Sequence, residues 1–410
     1  MGLKIKAQDG EPQRLPALDA ANFFLADVQT GLGPFLAAYL ASSGWNPGQI
    51  GLALTWGGIV TIALQTPAGA LVDRLRAKRS ILVIGTLALG AGALLLAASA
   101  NRWPVYLAQT IIGGAAPFLA PTLAAITLGL VGPKLFDRRF GRNQAFNAAG
   151  NVACALAIIA ISRWMGNQAI FLFTAVLSIP TIVSVLAIRG DAIDHNAASG
   201  GTQKPDGDGR ESLRFLMRDH ALLFFLISVF LFHFSNAAML PQLGEMLAKG
   251  APQVAAQFMS ACVIVTQLVI SCTAGWIGRF ANRHGRRGLL LAGFGVLPLR
   301  AVLYTLTAQP AALISIQILD GVANAIFTVV AVLVVADRTK GTGRFNLVQG
   351  ALATSAGLGA ALSNTFGGKI AEHYGFNDAF LALGAVAVMA VVLLWAAVPE
   401  TLRTQDLKVA

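Results

Sequence analysis

Charge is what this sequence has least of: Asp, Glu, Lys and Arg make up 12% of its 410 residues, against about a quarter in a soluble domain. That scarcity excludes a water-soluble globule. One packed core stops growing beyond about 250 to 300 residues, and this much apolar chain cannot be folded away from water. Cysteine is nearly absent. Cys154, Cys262 and Cys272 sit in apolar stretches, odd in number and without a C-x-x-C spacing, which argues against disulfides and zinc and leaves them as small packing residues. No G-x-x-x-x-G-K-[ST] loop occurs, so nothing supports work driven by ATP. Aromatics are sparse, and Trp45, Trp103, Trp164 and Trp395 fall near the ends of apolar stretches, as interfacial residues do. What the chain does have is 56% hydrophobic residues and 43 glycines, with a mean hydropathy of +0.67. The solvent this composition demands is the bilayer.

A spanning helix needs about 20 mostly apolar residues. Twelve stretches qualify: 18–41, 48–72, 79–100, 103–131, 143–163, 167–188, 219–248, 253–278, 287–308, 311–336, 343–369 and 377–398. They are continuously apolar instead of alternating, which argues against a membrane barrel and predicts an all-α integral membrane protein with twelve transmembrane helices. The first stretch follows Lys4, Lys6 and Arg14 as a secretory signal would. Its length, its Asn22 and Asp27 and the eleven stretches behind it read as a retained helix. With the N-terminus cytoplasmic, 25 of the 30 Lys and Arg residues fall in inside segments; Arg102, Arg163, Lys249 and Lys369 fall outside, and Arg300 lies within a span. One missed helix would destroy this asymmetry, so it predicts both the span count and cytoplasmic termini. The net charge of +11 is then an orientation signal, and no nucleic-acid partner is expected.

The polar segment 189–218 cannot bury enough apolar area to order itself and reads as a cytoplasmic linker. It separates an N-terminal six-helix unit, 1–188, from a C-terminal one, 219–398, followed by a cytoplasmic tail, 399–410. The units repeat one another. Gly69, Asp73, Arg74 and Lys78 after span two align with Gly278, Asn282, Arg283 and Arg287 after span eight at an offset of 209, and Gln109 and Gly113 recur as Gln317 and Gly321 at an offset of 208. The segments before spans five and eleven share Gly141-Arg142 and Gly343-Arg344. Three matches in the same order mark an internal repeat.

Six spans plus six, with a charged turn after spans two and eight, resemble the major facilitator superfamily over nearly the whole chain. The most specific element is the loop pattern Gly-x-x-x-Asp-Arg-x-Gly-x-basic-basic, matched by Gly69, Asp73, Arg74, Lys78 and Arg79. The chain departs from it at Arg76, where the family usually has glycine, and at Asn282 in the second copy, where it often has aspartate. The resemblance implies two bundles related by a pseudo-two-fold axis, rocking about a central site. It also implies that Asp73 meets the N-terminus of span eleven, near Gly343, when the cytoplasmic side is closed, because unpaired N–H groups there carry about half a positive charge. Gly69, Asp73, Arg74 and Lys78, with Asn282, Arg283 and Arg287 in the second copy, are the expected gating turns.

A charge at mid-membrane costs about 2.5 to 3.5 kcal/mol even on a lenient scale, so ionisable residues within spans are functional candidates. Asp27, about 12 Å into span one at 1.5 Å per residue, is the candidate proton carrier. His233, in the middle of span seven, can donate and accept hydrogen bonds, and Asn236 follows one turn later. Arg300 keeps its charge at any ordinary pH; Asp320 in the next span is the expected partner in an intramembrane ion pair. Spans one and seven are equivalent in the repeat, and both mix polar groups with helix-loosening residues, Gly31, Gly33 and Pro34 in one and Pro241 in the other. Irregular polar helix is tolerated only against protein or a cavity, so these two spans should line the pathway. Asn22, Gln109, Asn147, Gln317 and Trp56 complete the candidate set.

By resemblance the chain is a secondary active transporter of the bacterial-type inner membrane, moving a small organic solute by alternating access. Few cavity charges suit a neutral or weakly polar solute, and proton-coupled efflux is the first reading. Span five lacks the Gly-Pro-rich motif that family exporters often carry, so proton-coupled uptake of a nutrient or metal chelate, and passive uniport, stay open. His373 and Asp378 have a His-x-x-x-x-Asp spacing but no oxyanion donors nearby, and enzymatic activity is not expected. The expected partners are solute, protons and lipid, for a monomer without cofactor or metal.

Overall fold

Proline and asparagine punctuate this chain, and just over half of the described helices begin where they stand. The computed structural model describes residues 15–30, 32, 34–195, 218–250, 252–340 and 344–401. Most of the expected linker, residues 1–14 and 402–410, and Gly31, Gly33 and Gly343 lie outside these residues. Fourteen α-helices are described: α1 (Pro16–Thr30), α2 (Pro34–Ser42), α3 (Pro47–Arg74), α4 (Lys78–Ala98), α5 (Arg102–Val131), α6 (Pro133–Met165), α7 (Gln168–Ala187), α8 (His220–Asn236), α9 (Met239–Gly250), α10 (Pro252–His284), α11 (Arg287–Leu306), α12 (Pro310–Thr339), α13 (Phe345–His373) and α14 (Phe376–Ala397). Asn46 caps α3 by accepting from the Gln49 N–H at 2.8 Å, with Pro47 at the first helical position. Asp219 caps α8 in the same way through Leu222. These caps satisfy N–H groups that a helix start otherwise leaves open.

The span count resolves into these helices with two qualifications. Ten helices, with α8 and α9 taken together, are long and apolar enough to cross a membrane. The first expected span is divided into α1 and α2, each too short to count alone, and the eleventh, α13, is 29 residues long but rich in Gly, Ser, Thr and Asn. Two expected boundaries are corrected. The segment before span five was expected as a basic loop up to residue 142, but α6 begins at Pro133, leaving Gly132 alone, at φ 71°, to turn the chain out of α5. Proline is suited to a helix's first position and glycine to that φ. Likewise α10 continues to His284, so Asn282 and Arg283 lie on its last turn instead of in a loop.

One buried cluster is built wholly from the first half, with Leu25, Leu40, Leu89, Leu119 and Phe171 among its members, and a second wholly from the second half, around Phe232, Phe294 and Leu297. A third draws on both: Phe35, Cys154 and Ile158 from the first half meet Met239, Leu243, Phe258 and Met259 from the second. Lipid tails are as apolar as these side chains, so close fit, not exclusion from water, holds such helices together. Hydrogen bonds add register: Tyr39 Oη donates to Leu96 O at 3.0 Å, Trp45 Nε1 to Ala100 O at 2.8 Å and Gln168 Nε2 to Ala97 O at 2.6 Å. All three tie α2, α4 and α7 together at the end remote from the basic turns.

Candidate functional site between the two halves

Both candidate pathway spans are broken, and both break four residues before a proline. Proline has no N–H to return to the carbonyl four positions earlier. Pro34 therefore leaves Thr30 at the end of α1, and Pro241 leaves the break at Ala237 and Ala238, between α8 and α9. The Ala238 N–H, freed from its own helix, donates to Ser363 Oγ of α13 at 3.0 Å.

Around this break the second half gathers its polar residues. Arg300, 1% exposed on α11, is held by three helices. It pairs with Asp320 of α12, donates to Asn236 Oδ1 of α8 at 2.6 Å and reaches Met239 Sδ of α9 at 3.2 Å. Thr266 of α10 donates to the other Asp320 oxygen at 3.4 Å, and Gln317 lies fully buried one turn before it. Asn236, expected beside His233 in the pathway, is thus engaged by Arg300. His233 lies between aromatic rings, 5.3 Å from Phe232 and 4.7 Å from Phe327, centroid to centroid, and its Nε2 is buried without a hydrogen-bond partner among the described residues.

The first half is more apolar. Gln109 donates to Ala53 O at 3.2 Å and lines a cavity of about 280 Å³ with Leu36, Leu54, Thr61 and Gly113. Asn22 turns back on its own helix, donating to Leu18 O at 2.8 Å, and Asn147 accepts from Asn151 at 3.4 Å. Trp56 is 43% exposed, its Nε1 donating to Thr110 Oγ1, in a groove with Trp103 and Tyr106 on another face of α3 and α5. The side chains of Asp27 and Asp73 lie outside the described residues, as does Gly343. The gating contact expected from the resemblance therefore falls outside them too.

Of the gating turns, Gly69 has open space around it, Arg74, Asn282 and Arg283 are exposed, and Lys78 is buried, with Nζ donating to Val72 O at 2.8 Å. Arg287 donates through its backbone N–H to Glu400 and through its guanidinium to Trp395 O.

Sequence reasoning missed the ion pairs at this basic end. Asp19 of α1, buried, accepts from Arg139 at 2.6 Å and Arg142 at 2.8 Å, both on α6. Asp219 pairs with Arg338, and Arg286 with Asp337 at 3.2 Å. The signal was present: Asp19 stands in the first turn of an apolar span, and the basic run 134–142 needed a counter-charge.

The halves meet at the end opposite the basic turns. Thr55 Oγ1 of α3 donates to Ala361 O of α13 at 2.6 Å and lies 2.7 Å from Thr365 Oγ1. A Cβ at Gly51 would collide with the Asn364 backbone, and one at Gly58 would stand 2.7 Å from the Ala361 methyl. These approaches run from Gly48 to Ile62 on α3 and from Gly357 to Glu372 on α13. Under the repeat, α3 corresponds to α10 and α13 to α6, and α6 packs on α10 through Cys154, Ile158, Phe258 and Met259. Two symmetry-related contacts therefore close the same end.

Residues 18–276 and 225–409 each match the sequence model of the Major Facilitator Superfamily. An uncharacterised MFS-type transporter of Mycobacterium tuberculosis, present in two strains, is 42% identical over 393 residues, covering 95% of this chain and 94% of its own. Among solved structures, the nucleoside transporter NupG superposes with a TM-score of 0.77 at 16% identity, covering 93% of this chain and 98% of its own. A D-xylose-proton symporter superposes at 0.72 and 13% identity, covering 94% and 97%. An inward-facing bacterial homologue of the lysosomal transporter Spinster does so at 0.71 and 13%, covering 95% and 97%.

Proposed function

Because the chain belongs to the major facilitator superfamily, we propose that it exchanges a small neutral or weakly polar organic solute for protons across a bacterial-type inner membrane, with net flow outward. The observation that carries this reading is the closure of one end by the symmetry-related α3–α13 and α6–α10 contacts. A pair of contacts that seals one end and can be exchanged for a pair at the other is what alternating access requires. The sealed end faces outward in this reading, since the basic turns belong on the cytoplasmic side. Asp27 carries the proton, His233 and the side chains around Gln109 and Gln317 meet the solute, and Asp73 biases the cytoplasmic gate.

Arg300 and Asp320 neutralise each other, and the described residues that line the cavity around Gln109 carry no charge, which favours a neutral solute over an ion. The test is a thermal-shift screen of small organic solutes on the purified protein, repeated with Asp27→Asn and His233→Ala. Solutes whose stabilisation disappears in either variant are then followed in inverted vesicles. Proton-driven accumulation there, abolished in Asp27→Asn, is expected. Accumulation in right-side-out cells instead would replace efflux with uptake, and flux indifferent to the proton gradient would replace both with uniport.

A further inference from the structure

The two halves differ at one corner of the basic end. In the second half, two residues past the C-cap of α14 (Val398), Glu400 folds its carboxylate over the start of α11. The Arg286 and Arg287 backbone N–H groups donate to its two oxygens at 2.9 and 3.0 Å, and the carboxylate rests against Gly285. A side-chain anion thus caps a helix N-terminus, where N–H groups and the helix dipole favour negative charge.

In the first half the corresponding helices are α4 and α7. Two residues past the C-cap of α7 (Ile188) stands Gly190. A Cβ there would lie 2.8 Å from an Arg79 guanidinium nitrogen. The N-cap of α4 is Ala77, whose side chain makes no cap hydrogen bond. In place of the carboxylate is a cavity of about 480 Å³, lined by Arg76, Lys78, Arg79 and His195, with no acidic residue among the described residues of its wall. Arg79 donates through Nη2 to Leu186 O at 2.5 Å, while its Nε is buried without a hydrogen-bond partner among the described residues. Lys78 turns its ammonium to the α3 carbonyls, so Arg76 and Arg79 are the cations that address the cavity. Ile84 and Leu186, both more than half exposed, continue the wall along α4 and α7 toward the apolar part of the molecule.

We infer that this corner binds a phosphate group, supplied by an anionic phospholipid of the leaflet at the basic end, in the position that Glu400 occupies in the other half. The phosphate takes the place of the carboxylate, and the acyl chains lie along Ile84 and Leu186. Basic pockets between spans at a membrane surface are suited to such headgroups. This goes beyond the transport reading and does not depend on the direction of flow.

The test compares retention of phosphatidylglycerol and phosphatidylcholine by the purified full-length protein in native mass spectrometry, together with its thermal shift in inorganic phosphate. Wild type is expected to retain phosphatidylglycerol preferentially. Gly190→Glu supplies the missing carboxylate and should abolish that preference; Gly190 does not have a positive φ, and the nearest atom a Cβ would crowd is the movable end of the Arg79 side chain. Arg79→Gln should lower retention about fivefold, the factor expected for one basic contact. Stabilisation by inorganic phosphate that Gly190→Glu removes, without lipid preference, would support the phosphate site and assign it to a soluble ligand. Retention unchanged in both variants, with no effect of phosphate, overturns the inference.

Discussion

Arg300 shows how one buried residue can hold several helices together. Its guanidinium is fully buried, and its two Nη groups reach Asp320, Asn236 and Met239, drawn from three helices. Removing one member of a buried pair leaves the other charge without compensation and costs about 3 to 5 kcal/mol, whereas replacing both by apolar groups is often nearly neutral. Arg300→Leu and Asp320→Leu should each lower the unfolding midpoint in detergent markedly, and the double variant should lose less than either single one. A double variant that loses the sum of the two would show that the pair is not coupled. Asp19, held by two arginines at the basic end of the molecule, is a first-half residue in a similar arrangement.

Helix breaks are the next level, and they follow from sequence more directly than the side-chain contacts do. Pro241→Ala returns an N–H to the Ala237 carbonyl and removes a residue that costs a helix interior about 3 kcal/mol relative to alanine. α8 and α9 should fuse, raising the thermal midpoint while lowering the transport rate; a variant with undiminished transport would mean that the break serves only packing. Pro34 and Pro241 marked both spans as irregular without fixing a break, since Pro67, Pro117, Pro121, Pro180 and Pro298 lie inside continuous helices; the apolar stretches gave most spans to within a few residues, because the bilayer imposes length and composition on each helix separately. The start of α6 was not foreseen. Hydropathy reports membrane depth, and the first turns of α6, with Arg138, Arg139 and Arg142, are helical without being apolar. The candidate site was legible only in part. Arg300 and Asp320 could be matched because each charge demanded a partner, but whether Asn236 faced the solute or the arginine depended on a rotation about α8 that composition does not encode. Trp56 illustrates the same limit, since its place in the middle of a span said nothing about which face it occupies.

At the scale of the whole molecule the question is whether the closed end must open. Thr55 and Thr365 stand on opposite halves with their hydroxyl oxygens 2.7 Å apart, close enough for cysteines in their places to form a disulfide, whose sulfurs sit about 2.05 Å apart. Cys154 and Cys262 are buried and Cys272 is exposed, so the pair Thr55→Cys and Thr365→Cys is made in a Cys272→Ser background. Oxidation should stop transport, and reduction should restore it. A second pair, Thr127→Cys and Asn143→Cys, joins α5 to α6 within the first half, where the native side chains are 2.8 Å apart. Rocking of whole bundles leaves distances inside a bundle unchanged, so this cross-link should have little effect on rate. If both cross-links stop transport, the halves flex internally. If the α3–α13 bridge forms quantitatively and transport continues, that end does not open during the cycle, and alternating access between rigid halves is wrong for this protein.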